Sequence, residues 1–286
     1  MVFEICSLEK MASESQVSPF EIAISAGKLL SNTYISDRDP QPDDPVIPVH
    51  FMWSENYRMF YEIIKDQIKD PRLPLVPTEL NQSIFDKELY QIKNEHFWQG
   101  SNLKLDTLLS ILKSAKPNSY LIFTDIDCVF KPSLYNAVLP YVNAENDMCF
   151  LIESNHVNIG FMLFRVCSDV IEFWEMIRAK MIENPTLDQK YIQELLPNYL
   201  GKWCFFDDQL LSCTNMWKAE KPFAMIQLLC SCLGKEFNMA EKIFYAAQHM
   251  NVEPYMKFVK PDIIPYIYRF QEILMESQKR MKSGGQ

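Results

Sequence analysis

Residues 120–130 read Tyr-Leu-Ile-Phe-Thr-Asp-Ile-Asp-Cys-Val-Phe, and no other stretch limits the fold as much. Four apolar or aromatic residues in succession, without Gly or Pro, spell a short buried strand. The run ends at once on Asp125 and Asp127, a single residue apart. A carboxylate at the mouth of a buried strand is costly unless positive charge compensates it, and two cost more. In an open α/β sheet the carboxyl edge of the strands is where ligands bind. A divalent cation shared with a phosphate supplies such charge, because hard cations take oxygen ligands. A solvated strand end, with both carboxylates facing water, is the plainer alternative.

The rest of the chain fits around that strand. Ser18-Pro19-Phe20-Glu21 is a capping box with Pro at the first helical position, which predicts a helix to about Asn32. The acidic, proline-rich stretch from Ser36 to Pro45 reads as a linker, so residues 1–44 are expected to be an N-terminal helical appendage. Val46 to Trp53 is expected as the first core strand, with Ser54 capping a helix that carries Tyr57, Phe60, Tyr61, Ile64 and Ile68. Arg72 to Val76 follows as a second strand, completing a β-α-β unit of the kind that builds parallel sheets. A helix over 101–114 places Leu105, Leu108, Leu109 and Leu112 inward. Met148 to Ile152 and Gly160 to Arg165 are further strands. Ser168 opens a helix burying Val170, Phe173, Trp174, Ile177 and Met181. Thr186-Leu187-Asp188-Gln189 opens another with a capping box, to about Leu196. Residues 204–258 resist assignment apart from a helical pattern over 235–249. The segment from Pro265 to Met281 is an amphipathic helix with a basic end.

Charge and cysteine usage exclude several classes. A net charge of −9 disfavours nucleic acid and anionic membranes as partners. With only 7 Gly, the chain holds no G-x-G-x-x-G and no G-x-x-x-x-G-K. Of the eight cysteines, Cys128, Cys149 and Cys167 lie in or beside apolar runs, and Cys230 and Cys232 lack the paired knuckles of a zinc site. No basic segment followed by an apolar run is seen at the start, and no apolar stretch approaches the roughly 20 residues of a transmembrane helix. The expected location is a reducing cytoplasm.

Four signals stand in a fixed order: a lysine-bearing helix, the Thr-Asp-Ile-Asp strand, Asn-Ile-Gly-Phe-Met-Leu-Phe-Arg, and Asp-Gln opening a helix. That order resembles the nucleotide-diphospho-sugar transferases of the GT-A fold, with their D-x-D, N-x-G-F and D-Q motifs. The resemblance covers roughly residues 46–260. It implies an α/β fold with a Rossmann-type, mostly parallel sheet flanked by helices, a catalytic domain over 45–262 and a C-terminal helix and tail over 263–286. It also implies a metal-dependent glycosyltransferase using a nucleoside-diphosphate sugar, more specifically a UDP-sugar, and an acceptor that is a glycan, a protein or a small molecule. By the same resemblance, Asp125 and Asp127 bind Mn²⁺ or Mg²⁺, with Asp125 also turned towards the ribose. Asn158 and Gly160 lie beside the donor sugar, and Asp188 and Gln189 lie near the reaction centre. Lys104 is the basic residue of the preceding helix, and His249 completes the metal site. One departure is that Ala115-Lys116-Pro117-Asn118 stands where such enzymes carry a Gly-rich or Gly-Tyr stretch.

Each assignment has a simpler rival. Asn158 suits a turn before a strand, Gly160 a close backbone approach, Lys104 a solvated helix face and His249 a helix C-terminus. Asp188 suits a helix N-terminus on electrostatic grounds alone. A second pair, Asp208-Gln209, competes with Asp188-Gln189. Two other functions fit less of the chain. A haloacid-dehalogenase-like phosphatase would use Asp125-Ile126-Asp127-Cys128-Val129 as its first motif, but some 75 residues of β-α-β precede that motif here. A GT-A-shaped interaction protein without turnover would have no need of the paired carboxylates.

Overall fold

A computed structural model describes residues 41, 43–80, 95–214, 222–229 and 237–283. The expected helix over 18–32 and most of the acidic linker lie outside the described residues. The chain divides into two compact units, one over residues 35–227 and another that takes in 228–286.

The larger unit begins with β1 (Val49–Trp53), a 3-10 turn (Glu55–Tyr57), α1 (Arg58–Gln67) and β2 (Leu75–Glu79). It continues with α2 (Glu95–Ser114), β3 (Tyr120–Thr124), β4 (Cys128–Phe130), α3 (Leu134–Asn143), β5 (Met148–Glu153) and β6 (His156–Arg165). Helices α4 (Ser168–Glu183) and α5 (Asp188–Leu195) follow, then β7 (Trp203–Phe205), β8 (Leu211–Cys213) and β9 (Met225–Gln227). Six strands form one sheet in the order β2-β1-β3-β6-β5-β7, and only β6 runs against both of its neighbours. This is the mostly parallel, helix-flanked sheet expected. A second sheet, β4-β9-β8, was not.

Alternation along the strands decides which residues meet which layer. Leu121 and Phe123 of β3 and Met162 and Phe164 of β6 pack with the leucines of α2 and with Phe173, Trp174 and Ile177 of α4. All five residues expected inward on α4 are buried. On the opposite face of β6, Phe161 meets Phe130 of β4 and Phe206, with ring centroids 6.3 and 5.5 Å apart.

Several local expectations are corrected. Ser54 makes no side-chain cap; its carbonyl instead accepts from the Tyr57 N–H, which closes the 3-10 turn ahead of α1. The second strand starts at Leu75 rather than Arg72, because the Arg72 guanidinium is held by Asp44 and Asp70 and lies over the Tyr135 ring. Pro77 is tolerated in β2 because that strand is an edge of the sheet. The helix expected over 101–114 starts at Glu95, and β6 extends back to His156. At α5 no capping box forms, since Leu187 holds the N-cap position and caps nothing with its side chain. Where a glycine stretch was missing before β3, Asn118 adopts φ 63°, a left-handed conformation that Asn reaches more easily than most side chains. Ser154 and Asn155 also have positive φ and form the two-residue turn joining β5 to β6.

The smaller unit contains α6 (Asn238–His249), a 3-10 segment (Glu253–Phe258) and α7 (Ile264–Ser283). Phe237 and Phe244 pack against Phe270 of α7. Among the described residues, no helix is long and apolar enough to cross a membrane.

One buried carboxylate holds an edge of the main sheet. Asp147, 5% exposed, accepts from the Arg165 side chain at 2.8 Å, the Lys202 N–H at 2.8 Å and the Tyr199 hydroxyl at 3.2 Å. It thereby joins the start of β5 to the end of β6 and to the approach of β7. Asp147→Ala is expected to cost on the order of 3 kcal/mol, because it leaves the guanidinium and the donors unpaired. Urea unfolding of the two proteins measures this.

Candidate functional site

The site is built where β3 ends. In the β5–β6 ladder Phe150 faces Met162, but Leu151 faces Asn158, so residues 159–161 bulge out of register. The bulge frees the carbonyl of Ile159, while that of Gly160 continues the β3–β6 register. That of Gly160 accepts from the Asp125 N–H at 2.7 Å and the Thr124 hydroxyl at 3.1 Å. That of Ile159 accepts from Lys104 Nζ at 3.2 Å. Asn158 closes the bulge: its Oδ1 accepts from the Gly160 N–H at 2.7 Å and its Nδ2 donates to Glu153 at 2.8 Å. With 1% exposure and both ends of its amide engaged, Asn158 is a positioning residue for Gly160.

Asp125 is gripped from two sides. Lys104, one helical turn before the buried Leu108, reaches Oδ1 at 2.6 Å, and Gln227 Nε2 donates to Oδ2 at 3.1 Å. Burial works against the Lys104 charge, but Asp125, Asp188 and Asp127 outweigh it and hold its pKa above the ordinary lysine value. Lys104 is therefore no solvated helix lysine; its side chain is 18% exposed and serves a cluster of carboxylates. Asp127 sits between β3 and β4 and is 7% exposed.

Asp188 opens α5, and its Oδ1 accepts from the Gln189 backbone N–H at 2.9 Å. Gln193 of the same helix accepts from the Val157 N–H at 2.9 Å, which fixes α5 to β6. Burial pushes the Asp188 carboxyl above the usual carboxylate range; Lys104 and the Gln189 N–H pull it back, and Asp125 adds to the rise. The competing pair is engaged with itself, Gln209 Nε2 donating to Asp208 at 3.0 Å. Asp188 is thus the member of the two pairs that shares a field with Lys104 and Asp125.

Gln227 was missed in the sequence. It ends β9, opposite Cys128 of β4, and is 5% exposed. A Cβ on Gly160 would lie 2.0 Å from its Nε2 and 2.2 Å from its Oε1, so the carboxamide lies flat over this glycine. The available signal was a lone amide in the apolar run from Phe223 to Leu229.

Asp125, Asp127, Asn158, Gly160, Lys104, Asp188 and Gln189 all belong to the larger unit, whereas His249, 1% exposed at the end of α6, belongs to the other. Among the described residues no group of three or more His, Cys, Asp and Glu side chains could hold a metal ion. The donor set fits a cation that arrives with a diphosphate. Mg²⁺ in such sites uses one or two carboxylates plus phosphate oxygens and water, not a closed protein cage.

Among solved structures, the chain is similar to a glycosyltransferase involved in glycosylation of the major capsid of PBCV-1. The TM-score is 0.50 at 14% identity, over 71% of this chain and 99% of that one. The chain has the GT-A fold. Looser similarities are to the galactosyltransferase LgtC crystallised with donor and acceptor sugar analogs (TM-score 0.42, 10% identity, 74% and 95% covered) and to mouse xyloside xylosyltransferase 1 (0.42, 10%, 74% and 93%). No family model and no curated protein sequence matches. Within the GT-A fold, the carboxyl end of β3 is the edge at which Asp125 and Asp127 stand.

Two outcomes follow from this geometry. Gly160→Ala drives a methyl into the Gln227 amide, and about 1–3 kcal/mol of stability should be lost, read by thermal unfolding. An acid whose folded pKa is raised contributes stability that is present below its unfolded pKa and lost as pH rises through the folded value. Asp188→Asn keeps the acceptor for the Gln189 N–H and removes that loss. The variant should therefore gain stability over wild type as pH rises above the carboxylate range, and match it in acid; melting curves across pH check this.

Proposed function

We propose that the chain is a metal-dependent glycosyltransferase that moves a sugar from a nucleoside-diphosphate sugar, a UDP-sugar, to an acceptor that is a glycan, a protein or a small molecule. The observation that supports this most is the convergence of Asp125, Asp127, Asp188 and Lys104, from separate elements, on the carboxyl edge of a GT-A sheet. A structural ion pair would need one carboxylate for one lysine; here Asp188 and Asp127 act on Lys104 in addition to its partner Asp125. Such a surplus of negative charge suits a site that takes up a cation with its substrate.

In this reading Asp127 holds Mn²⁺ or Mg²⁺ against the diphosphate, with Asp125 beside it. When bound, the cation supplies Lewis-acid stabilisation of the charge that develops on the departing diphosphate. Lys104 and Gln227 keep Asp125 in one rotamer, so its carboxylate meets the donor without reorganising. The Asn158-held bulge sets Gly160, with the Gln227 amide over it, on the side where the donor sugar is to lie. Asp188 and Gln189 face the sugar. His249 is retained as a proposed further metal ligand, on the resemblance alone. The free thiols of Cys149, Cys167 and Cys204 suit a reducing cytoplasm.

The test is a panel of nucleotide sugars with Mn²⁺, scored for release of nucleoside diphosphate. Chelator should abolish release, and Asp127→Asn should lower it at least about a hundredfold, on the order of 2.7 kcal/mol, without lowering the melting temperature. Asp188→Asn should cut it by more than about tenfold, while Asp208→Asn changes it little. Hydrolysis of simple phosphate monoesters through a phospho-aspartate on Asp125 would replace this function with the phosphatase. Donor and metal binding without any turnover would favour the interaction protein.

A further inference from the structure

The orientation of the Gln227 carboxamide is set by chemistry. Asp125 Oδ2 only accepts when ionised, so the end of the amide 3.1 Å from it is the nitrogen. Oε1 is thereby committed to the other side. It is buried, and among the described residues it has no hydrogen-bond partner. A buried carbonyl oxygen without a donor is a cost that native proteins rarely carry without reason. The cost is not forced by backbone, because Oε1 belongs to a side chain that Gly160 makes room for: a Cβ there would lie 2.2 Å from it. Glycine at 160 and glutamine at 227 thus keep an acceptor in place beside Asp125, where it is satisfied by nothing in the described chain.

We propose that Gln227 Oε1 receives a hydrogen bond from a hydroxyl of the transferred sugar, making Gln227 a specificity-determining residue. The inference rests on the glycosyltransferase function proposed above. A carbonyl oxygen accepts from a donor group or ligates a hard cation, and it rejects phosphate oxygens, which are anionic acceptors. Gln227 is therefore suited to the sugar and not to the diphosphate. Its neighbour agrees: the amide lies over Gly160, on the side assigned to the sugar, while Asp127 serves the metal and phosphates. A site built to bond a hydroxyl also rejects sugars that lack it, because the acceptor is then left unpaired.

The experiment compares wild type with Gln227→Met, which keeps length and bulk and removes both hydrogen-bonding ends. Titration calorimetry with Mn²⁺ measures binding of UDP, of the UDP-sugar that wild type prefers among UDP-glucose, UDP-galactose, UDP-N-acetylglucosamine and UDP-xylose, and of that donor with single hydroxyls replaced by fluorine. Wild type should bind the UDP-sugar more tightly than UDP. In Gln227→Met the UDP-sugar should weaken about tenfold more than UDP does, because loss of the grip on Asp125 acts on both ligands and loss of the sugar contact on one. One fluorinated donor should bind wild type about tenfold more weakly than its parent, yet bind the variant equally well. Retained UDP binding shows that the variant is folded. If UDP and UDP-sugar weaken by the same factor, Gln227 only supports Asp125, touches the nucleotide or ligates the cation, and the proposal is overturned. Equal discrimination of every fluorinated donor by both proteins overturns it too. If wild type binds none of the UDP-sugars, the transferase function itself falls, which is a separate result from a sugar-independent Gln227.

Discussion

The hydrogen bond from the Asp125 N–H to the Gly160 carbonyl joins the two halves of this molecule's chemistry. It continues the β3–β6 register one pair past Thr124 and Phe161, beside the bulge in β6 that turns the Ile159 carbonyl to Lys104. That bond fixes the backbone from which the Asp125 side chain projects. Once the carboxylate is placed, Lys104 from α2 and Gln227 from β9 close on its two oxygens. Four elements, far apart in sequence, are held by a few polar contacts in a space of a few ångströms.

Burying that many charges is unfavourable by itself. Lys104 remains charged only because the carboxylates around it exceed the desolvation that opposes it. Asp188 shows the opposite balance, with burial prevailing over the lysine. The apolar layer of α2, α4 and α5 against the sheet provides the stability that lets such a cluster persist, and it also fixes the angles at which Lys104 and Asp188 enter. Charge at the edge and close packing beneath it are two sides of one arrangement: rigid elements hold the polar groups ready, so little reorganisation is left for a ligand to induce.

Much of the fold was legible because hydrophobic periodicity survives in a single sequence. The inward face of α4 and the leucines of α2 could be read by spacing alone. The Asp-x-Asp at the end of an apolar run located the site. Boundaries slipped where tertiary contacts overrode local signals, as at Arg72, whose two carboxylate partners delay β2, and at Thr186, whose capping pattern goes unused. The second sheet escaped because β4, β8 and β9 are three residues each, too short for a period to appear.

By itself, the sequence determined the α/β class, the strand carrying the two carboxylates, and the cast of polar residues near it. Those properties depend on neighbours along the chain, which periodicity and residue type record. Only the tertiary structure decided that Lys104 faces three carboxylates, that Asp188 and not Asp208 joins them, and that Gly160 exists to admit the amide of Gln227. Gln227 is separated from Asp125 by about a hundred residues, and a single hydrogen bond between them leaves no periodic trace in a chain. Such pairings are set by how sheets and helices pack, and packing is a property of surfaces that form only after the elements have assembled.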